Sequence, residues 1–207
     1  MEYFIYDTET TGLTRSDEII QLAGLLVDDN LNLLKAIDFY CYTQVAISKS
    51  ATQVHGITST ALRKLSDGKT FEDYFYESEL SKKKNLTWIS FSTNGFDERM
   101  INQTLKNNGL PAYDFGPEIK YFGAEKVGVH RFNAYAFLKN RCFNGKNAKL
   151  TQMIACTPYA NTLDSLFAKV FHDDAAKHLQ FHDALYDSFA LWVLLSHFKS
   201  RLGINGL

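Results

Sequence analysis

The chain has 207 residues, of which 45% are hydrophobic and 14% aromatic, so it can bury a sizeable core within one globular domain. Its 22 Lys and Arg residues are matched by 23 Asp and Glu residues, and the formal net charge of -1 excludes a strongly basic protein that coats nucleic acid. Balanced charge also argues against intrinsic disorder. A nucleic-acid partner must therefore be held by a local patch.

The cysteine pattern bears on where the protein works. Cys41, Cys142 and Cys156 lie far apart and have no C-x-x-C spacing, which indicates neither a disulfide framework nor a zinc knuckle. A reducing cytoplasm is the simplest location for such a chain. The first residues do not resemble a signal peptide, and no apolar run approaches the roughly 20 residues of a membrane span. We therefore expect a cytoplasmic protein with no membrane partner.

The first part of the chain predicts strands. Short β-rich apolar runs at hairpin-like spacing predict three of them, over residues 3–7, 18–28 and 33–42. A fourth strand is predicted over 86–91, and a helix over 96–106 follows it directly.

Helical patterns account for most of the remainder, over residues 51–56, 59–65, 70–80, 161–171 and 182–201. The last of these places Leu185, Phe189 and Trp192 on one side, as in a helix packed on a sheet. Residues 110–160 contain many Gly and Pro breakers and predict no clear element. The order of elements predicts an α/β fold with a partly antiparallel sheet, as a single domain over residues 1–207.

Two acidic residues lie at the end of the first predicted strand. Asp7 and Glu9 are two positions apart, so strand alternation points both carboxylates toward one spot. Carboxylates that face each other repel unless a cation lies between them. The alternative from these residues alone is that Asp7 begins a turn into Thr10-Thr11-Gly12.

A third acidic residue, Asp97, follows the fourth predicted strand after a short turn. Ligands of α/β sheets gather at the carboxyl ends of strands, where Asp97 meets Asp7 and Glu9 if the first and fourth strands are neighbours. The alternative is that Asp97 is a helix-start carboxylate that the helix dipole favours.

The fourth acid lies close to a histidine. Asp187 falls inside an otherwise apolar helix, where a lone carboxylate is costly to bury without a metal or a partner. His182 precedes that helix, and histidine is the side chain best suited to taking a proton from water near neutral pH. Four acids and one histidine are the ingredients of two-metal phosphodiester hydrolysis, for which oxygen ligands suit Mg²⁺ or Mn²⁺.

In this order, Asp7-x-Glu9, Asp97 and His182-x4-Asp187 resemble the DEDDh exonucleases, the DnaQ-like family that includes the proofreading subunit of bacterial DNA polymerase III. The segments FIYDTETTGL, ATQVHGIT, TLDSLF and HDALYDS are similar to that family over nearly the whole chain, and FDERMINQTLKNNGLPAY is similar to its exonuclease I branch. The resemblance implies a ribonuclease H-like fold, with a mixed five-stranded sheet flanked by helices, and 3′-to-5′ removal of nucleotides.

The resemblance also implies residue roles. It makes His182 the general base, and it implies two Mg²⁺ ions, for which Mn²⁺ can substitute, held by four catalytic carboxylates: Asp7, Glu9, Asp97 and Asp187. The positions that match the family's substrate contacts are Thr8, Thr10, Leu13, His55, Asn94 and Phe96. Leu13 is expected to act as an apolar wedge. From the residues alone, Thr10 is as readily a turn residue, Leu13 a core residue and His55 a helix-end residue.

One local departure from the family pattern concerns the turn before Asp97. Many members have His-Asn several residues before the third Asp, whereas this chain has Ser92-Thr93 at the matching positions and Asn94 one step later.

One stretch of the chain is strongly basic, although the total charge is close to zero. Residues 126–163 contain no Asp or Glu, and six cations give a local charge of +6: Lys126, Arg131, Lys139, Arg141, Lys146 and Lys149. Four aromatic residues are interspersed with them: Phe132, Tyr135, Phe137 and Phe143. Basic and aromatic side chains together are what the phosphates and bases of a single strand require. The alternative is a solvated loop with buried aromatic residues.

The residues and the resemblance together predict a metal-dependent 3′-5′ exonuclease that acts on single-stranded DNA ends and releases nucleoside 5′-monophosphates. One alternative is an exoribonuclease that trims RNA. A protein distinguishes RNA from DNA by contacts to the 2′-OH, and no residue in the sequence indicates whether such a contact is made. Another is an inactive module that binds nucleic-acid ends. A role as a proofreading or trimming subunit, with a polymerase or another enzyme of DNA replication or repair as partner, stays open, as does the oligomeric state.

Overall fold

A mixed sheet of five strands, in the order β3-β2-β1-β4-β5, organises the computed structural model, which describes residues 1–120, 127–172 and 181–203. The strands are β1 (Glu2–Thr10), β2 (Ile19–Val27), β3 (Leu33–Tyr40), β4 (Leu86–Ser90) and β5 (Val129–Asn133). Strands β1, β2 and β3 pair antiparallel, whereas β1, β4 and β5 are parallel neighbours. The predicted mixed five-stranded sheet is confirmed.

Helices flank this sheet on both faces. Those within the described ranges are α1 (Lys49–His55), α2 (Ser59–Leu65), α3 (Phe71–Glu77), α4 (Phe96–Asn107), α5 (Ala134–Arg141), α6 (Leu150–Ala155), α7 (Leu163–Phe171) and α8 (Ala184–His197). In the same ranges, none of the helices combines the length and the apolar character that a membrane crossing demands. The sequence predicted all of these elements except β5, α5 and α6, which fall in the stretch rich in Gly and Pro.

The side chains of β1 alternate between two hydrophobic cores. Tyr3 and Ile5 belong to the core beneath α8, whereas Phe4 and Tyr6 belong to the core beneath α3 and α4. Trp88 of β4 packs edge-on against both rings, with its centroid 5.2 Å from that of Phe4 and 5.1 Å from that of Tyr6. Strand β1 is therefore held from both faces as far as Tyr6.

Helix α8 is buried more completely than its sequence predicts. Its pattern indicates a single apolar side, but ten of its 14 residues are buried, because α6 and α7 cover the side that faces away from β1 and β2. The helix packs on the sheet, as predicted, and is covered on its other side as well. Asp187 consequently lies half-buried in the first turn of a helix that is enclosed on most sides.

The end of β1 extends beyond its parallel neighbour. Pairing with β4 reaches only Ile5, whereas β1 continues to Thr10 and pairs with β2 alone over that length. On the other side of the overhang, a turn through Gly95, whose φ of 61° is left-handed, begins α4. Asp7 and Glu9 therefore project from a strand end that is bordered by the start of α4.

Gly24 of β2 provides a test of how tightly β1 is packed. A Cβ atom at this position would lie 2.5 Å from the carbonyl oxygen of Ile5 and 2.8 Å from the ring of Phe4. Because backbone and a packed ring cannot move cheaply, we expect Gly24→Ala to lower the free energy of unfolding by roughly 1–3 kcal/mol, as measured by urea denaturation. Ala36→Ser adds one heavy atom at an exposed position of β3 and should stay within about 0.5 kcal/mol. Equal stability of Gly24→Ala and the wild type would contradict the packing described.

Candidate active site

Three side chains at the end of β1 and the start of α8 form a compact cluster. Ligand atoms of Glu9, His182 and Asp187 all lie within 4.8 Å of one another. Two oxygens on opposite sides of a Mg²⁺ ion are roughly 4.2 Å apart, since each Mg–O distance is about 2.1 Å. The three groups can therefore surround one divalent cation after small side-chain adjustments.

The other two predicted acids border this cluster. Asp7 lines a cavity of about 310 Å³ together with His182 and Asp187. Asp97, the second residue of α4, is 2% exposed and accepts a hydrogen bond of 2.8 Å from the hydroxyl of Thr8. Thr8 points to the opposite face of β1 from Asp7, so Asp97 approaches the cluster from the side of α4.

The surroundings of all four carboxylates disfavour their charged forms, and burial is the largest cause in each case. Burial, followed by the charges of Asp97, Asp187 and Glu9, raises the pKa of Asp7 well above its usual value. Burial and the neighbouring carboxylates raise the pKa of Glu9 to about 9. Burial is also the main reason that the pKa values of Asp97 and Asp187 rise to about 7. A cation placed among these groups would favour their charged forms.

Asp187 shows where a cation would be bound. Its Oδ1 atom is buried and has no hydrogen-bond partner within the described parts of the chain, and its Oδ2 atom accepts a long bond of 3.3 Å from the backbone N–H of His182. A buried carboxylate oxygen without a donor is costly. Carboxylate oxygens are the ligands that Mg²⁺ and Mn²⁺ prefer, so the residues present fit a divalent metal site.

The backbone at His182 has an unusual conformation that shapes the cluster. Its φ of 68° lies in the left-handed region, which His, Asn and Asp adopt more readily than most residues. This turn directs the backbone N–H toward Asp187 and leaves the exposed imidazole lining the cavity.

Asp183 anchors the start of α8 and was not predicted as part of the site. Its Oδ1 atom accepts hydrogen bonds of 3.1 Å from the backbone N–H groups of Leu185 and Tyr186, which caps the helix. Its Oδ2 atom accepts longer bonds from Tyr40 of β3 and Gln21 of β2, at 3.3 and 3.4 Å. An Asp just before a helix is a recognisable cap signal, but its contacts with the sheet join residues far apart in sequence.

The predicted substrate contacts on and after β1 fall into different environments. Leu13 is 76% exposed and is therefore not a core residue. The hydroxyl of Thr10 donates to the carbonyl of Gly12 at 2.8 Å, and that of Thr8 is committed to Asp97.

His55 is buried and bonded through both ring nitrogens. Its Nδ1 atom accepts from the backbone N–H of Ile57 at 3.0 Å, so the proton is on Nε2, which donates to the carbonyl of Thr10 at 3.2 Å. Through this bond the ring supports the end of β1, from which the chain continues to Leu13.

The two remaining positions flank the start of α4. Asn94 is exposed and has a left-handed φ of 64°. Phe96 is half-buried, with the guanidinium of Arg99 5.1 Å from its ring centroid. Its backbone N–H donates to Ser92 Oγ at 3.2 Å, so Ser92 fixes the turn before Asp97.

Comparison with known families agrees with this arrangement. The RNase T family of exonucleases matches the chain over residues 4–195, and the chain therefore belongs to this exonuclease family, which has the predicted DEDDh, DnaQ-like character. No curated protein sequence matches the chain significantly.

Solved structures of exonuclease I share the fold. The zinc-bound complex of E. coli exonuclease I with single-stranded DNA superposes with a TM-score of 0.67 at 18% identity, and exonuclease I from Methylocaldum szegediense with 0.65 at 18%. The E. coli enzyme in complex with a dA16 oligonucleotide gives 0.66 at 17%. Each match covers 98% of this chain and 41% of the other, so this chain spans well under half the length of those enzymes. The predicted ribonuclease H-like fold is confirmed.

The raised pKa values predict how stability depends on pH and metal. Unfolded Asp and Glu release their protons near pH 4, whereas Asp97 and Asp187 in the folded protein retain theirs to about pH 7. The folded state therefore binds more protons over this window, and the metal-free protein should lose stability as pH rises through it. In EDTA, Tm should fall between these pH values, and Mg²⁺ or Mn²⁺ should raise it at pH 8.

Asp187→Asn is the matched variant for this measurement. It should flatten the fall of Tm with pH, because it removes one of the carboxylates that titrate. It should also weaken the response to metal, because it removes one of the proposed ligands. A wild-type Tm at pH 8 that neither metal changes would exclude a metal site at this cluster.

The cap at Asp183 can be tested separately. Asp183→Ala removes the acceptor for two helix N–H groups and should lower the free energy of unfolding by roughly 1–2 kcal/mol, measured by urea denaturation. Asp183→Asn keeps a side-chain acceptor and should retain most of that stability. If both variants were as stable as the wild type, Asp183 would not anchor α8.

Proposed function

We propose that this chain is a metal-dependent 3′-5′ exonuclease that hydrolyses the terminal phosphodiester bond of single-stranded DNA and releases nucleoside 5′-monophosphates. The observation that carries the proposal is the convergence of four carboxylates and His182 at one strand end, in a member of an exonuclease family. The similar exonuclease I structures include complexes with single-stranded DNA, which supports DNA as the substrate. We further propose that residues 1–207 act as one exonuclease domain, in the cytoplasm.

Two divalent ions, Mg²⁺ or Mn²⁺, fit the proposed chemistry. Asp7, Glu9 and Asp187 would hold one of them; Asp7 would also contact the other, on which Asp97 would act through water. When bound, the ions neutralise charge on the scissile phosphate and make water more acidic. The positions of these ligands are fixed because β1 and α8 are packed into the hydrophobic cores. The raised pKa values of these acids support their role as ligands of a cation.

His182 would act as the general base. Its exposed imidazole lines the cavity next to the carboxylates and can take a proton from the attacking water. The water oxygen then bonds to phosphorus, and the bond from phosphorus to the 3′ oxygen of the preceding nucleotide breaks. The released nucleotide keeps the 5′ phosphate, and the shortened strand takes up a proton as its new 3′ hydroxyl.

The terminal nucleotide would lie against the turn after β1. Leu13 is exposed there and can insert beside the terminal base, while Thr10 and His55 hold the turn that carries it. Asn94 and Phe96 would contact the nucleotide from the start of α4, and Thr8 would act by holding Asp97 in place.

The proposal predicts a large loss of activity for changes at the catalytic positions. Asp7→Asn and His182→Gln should each lower kcat by at least roughly 100-fold, the scale of lost acid–base or metal catalysis. The assay follows 5′-labelled single-stranded DNA, in which 3′-5′ removal produces a ladder of shorter labelled strands. Activity should require Mg²⁺ or Mn²⁺ and disappear in EDTA.

Matched controls separate a catalytic loss from a general one. His197→Gln changes an exposed histidine at the other end of α8, and Asp29→Asn changes an exposed acid in a turn; both should retain wild-type activity. Duplex DNA and RNA of the same sequence should be degraded more slowly. Full activity of His182→Gln, or direct release of the 5′ label as a mononucleotide, would exclude the proposed site or polarity.

A further inference from the structure

A second cavity adjoins the candidate active site. It measures about 380 Å³, and its lining includes Phe91, Thr93, Tyr135, Asn147 and Lys149. Phe91 and Lys149 also line the cavity that contains Asp7 and Asp187, so the two cavities meet at these two side chains. We call the second one the Tyr135 cavity. None of the four carboxylates lines it.

Two aromatic rings form one wall of the Tyr135 cavity. Phe91 and Tyr135 pack edge to face, with ring centroids 5.3 Å apart and planes at 88°. Both rings are half-buried, packed against the core beneath α8 and accessible from the cavity. The hydroxyl of Tyr135 donates to Asn147 at 3.0 Å, which fixes the direction of the ring. Fixed, accessible aromatic rings are platforms on which nucleic-acid bases stack.

The charge of this wall is opposite to that of the catalytic cluster. Lys149 lines both cavities and has no ion-pair partner among the residues described, and the ammonium of Lys139 lies 5.9 Å from the ring centroid of Tyr135. No Asp or Glu occurs between residues 127 and 163. Lys126, the first cation of the predicted basic stretch, lies outside the described residues. Cations beside aromatic rings are complementary to a chain of phosphates and bases.

We propose that the Tyr135 cavity binds the base of the nucleotide next to the one being removed, and that Lys149 contacts the phosphate between them. This inference rests on the proposed function. Its occupant is a nucleotide of an unpaired DNA strand, because a base that is paired and stacked within a duplex cannot enter a separate cavity. The shared wall of Phe91 and Lys149 lets one strand pass from the catalytic cavity into this one.

Three substrates test the proposal. The p-nitrophenyl ester of thymidine 5′-monophosphate contains one nucleotide and occupies the catalytic cavity alone. A single-stranded oligonucleotide occupies both cavities, and the same oligonucleotide with an abasic second position from the 3′ end lacks the base in question. In the wild type, the abasic change should raise KM by roughly 5- to 150-fold, the range typical of one base–aromatic stack.

Tyr135→Leu keeps an apolar side chain against Phe91 but removes the stacking ring. It should raise KM for the intact oligonucleotide by a similar factor, with kcat nearly unchanged, and should cause little further loss on the abasic substrate. Tyr135→Phe keeps the ring and should restore binding. Tyr76→Leu changes an exposed tyrosine of α3, on the opposite face of the sheet, and should behave as the wild type.

The phosphate contact has its own measurement. Each phosphate that a cation neutralises on a single strand contributes roughly 0.7 to the slope of log affinity against log salt. Lys149→Gln should therefore lower this slope by about that amount for the oligonucleotide. An unchanged slope would remove Lys149 from the proposed contact.

The outcomes separate the two proposals. If the wild type hydrolyses neither the ester nor the oligonucleotide with Mg²⁺ or Mn²⁺, the proposed function fails. If the wild type is active but Tyr135→Leu loses nothing, or loses equally on intact and abasic strands, the Tyr135 cavity is not a base site. Should Tyr135→Leu not fold, the wild type alone decides: an abasic second position must raise KM more than an abasic eighth position.

Discussion

The burial and mutual repulsion of four carboxylates is the constraint on which the rest of this structure depends: Glu9 and Asp97 are buried, and Asp7 and Asp187 are half-buried. Asp7 and Glu9 lie on a strand that is packed into a hydrophobic core on each face, and Asp187 lies on a helix that is buried on most sides. The apolar frame supplies the free energy that holds these charges together. The packed strand and helix therefore hold the carboxylates close together, although their charges repel. A cation binds strongly under this condition, because it removes the repulsion.

The sequence was sufficient to predict most of the frame but not the stretch between α4 and α7. Strands β1 to β4 have clear apolar runs, and alternation along β1 correctly separates Asp7 and Glu9 from the side chains of the other face. Strand β5 is only five residues long, and its burial alternates with half-exposed residues, so its pattern is too short to distinguish it from the breakers around it. Three side chains that line the Tyr135 cavity, those of Tyr135, Asn147 and Lys149, belong to this stretch, for which the sequence predicted no element.

Within the candidate site, sequence order predicted the acids and His182, whereas the contacts that support them are visible only in the folded chain. Asp183 joins α8 to residues of β2 and β3 that lie more than a hundred positions away. Ser92, which stands where many family members have His, accepts from the N–H of Phe96 and so sets the start of α4. The next residue, Thr93, lines the Tyr135 cavity, so the departure from the family pattern places small side chains where the two cavities approach.

The two hydrogen bonds of His55 favour one neutral form of its imidazole ring. Its Nδ1 atom must stay unprotonated to accept from Ile57, and burial lowers the pKa of the ring below its usual value near neutrality. The neutral tautomer with its proton on Nε2 is therefore favoured to a lower pH than in an ordinary histidine. Its imidazole proton resonances should accordingly begin to move only below the pH at which an exposed histidine titrates.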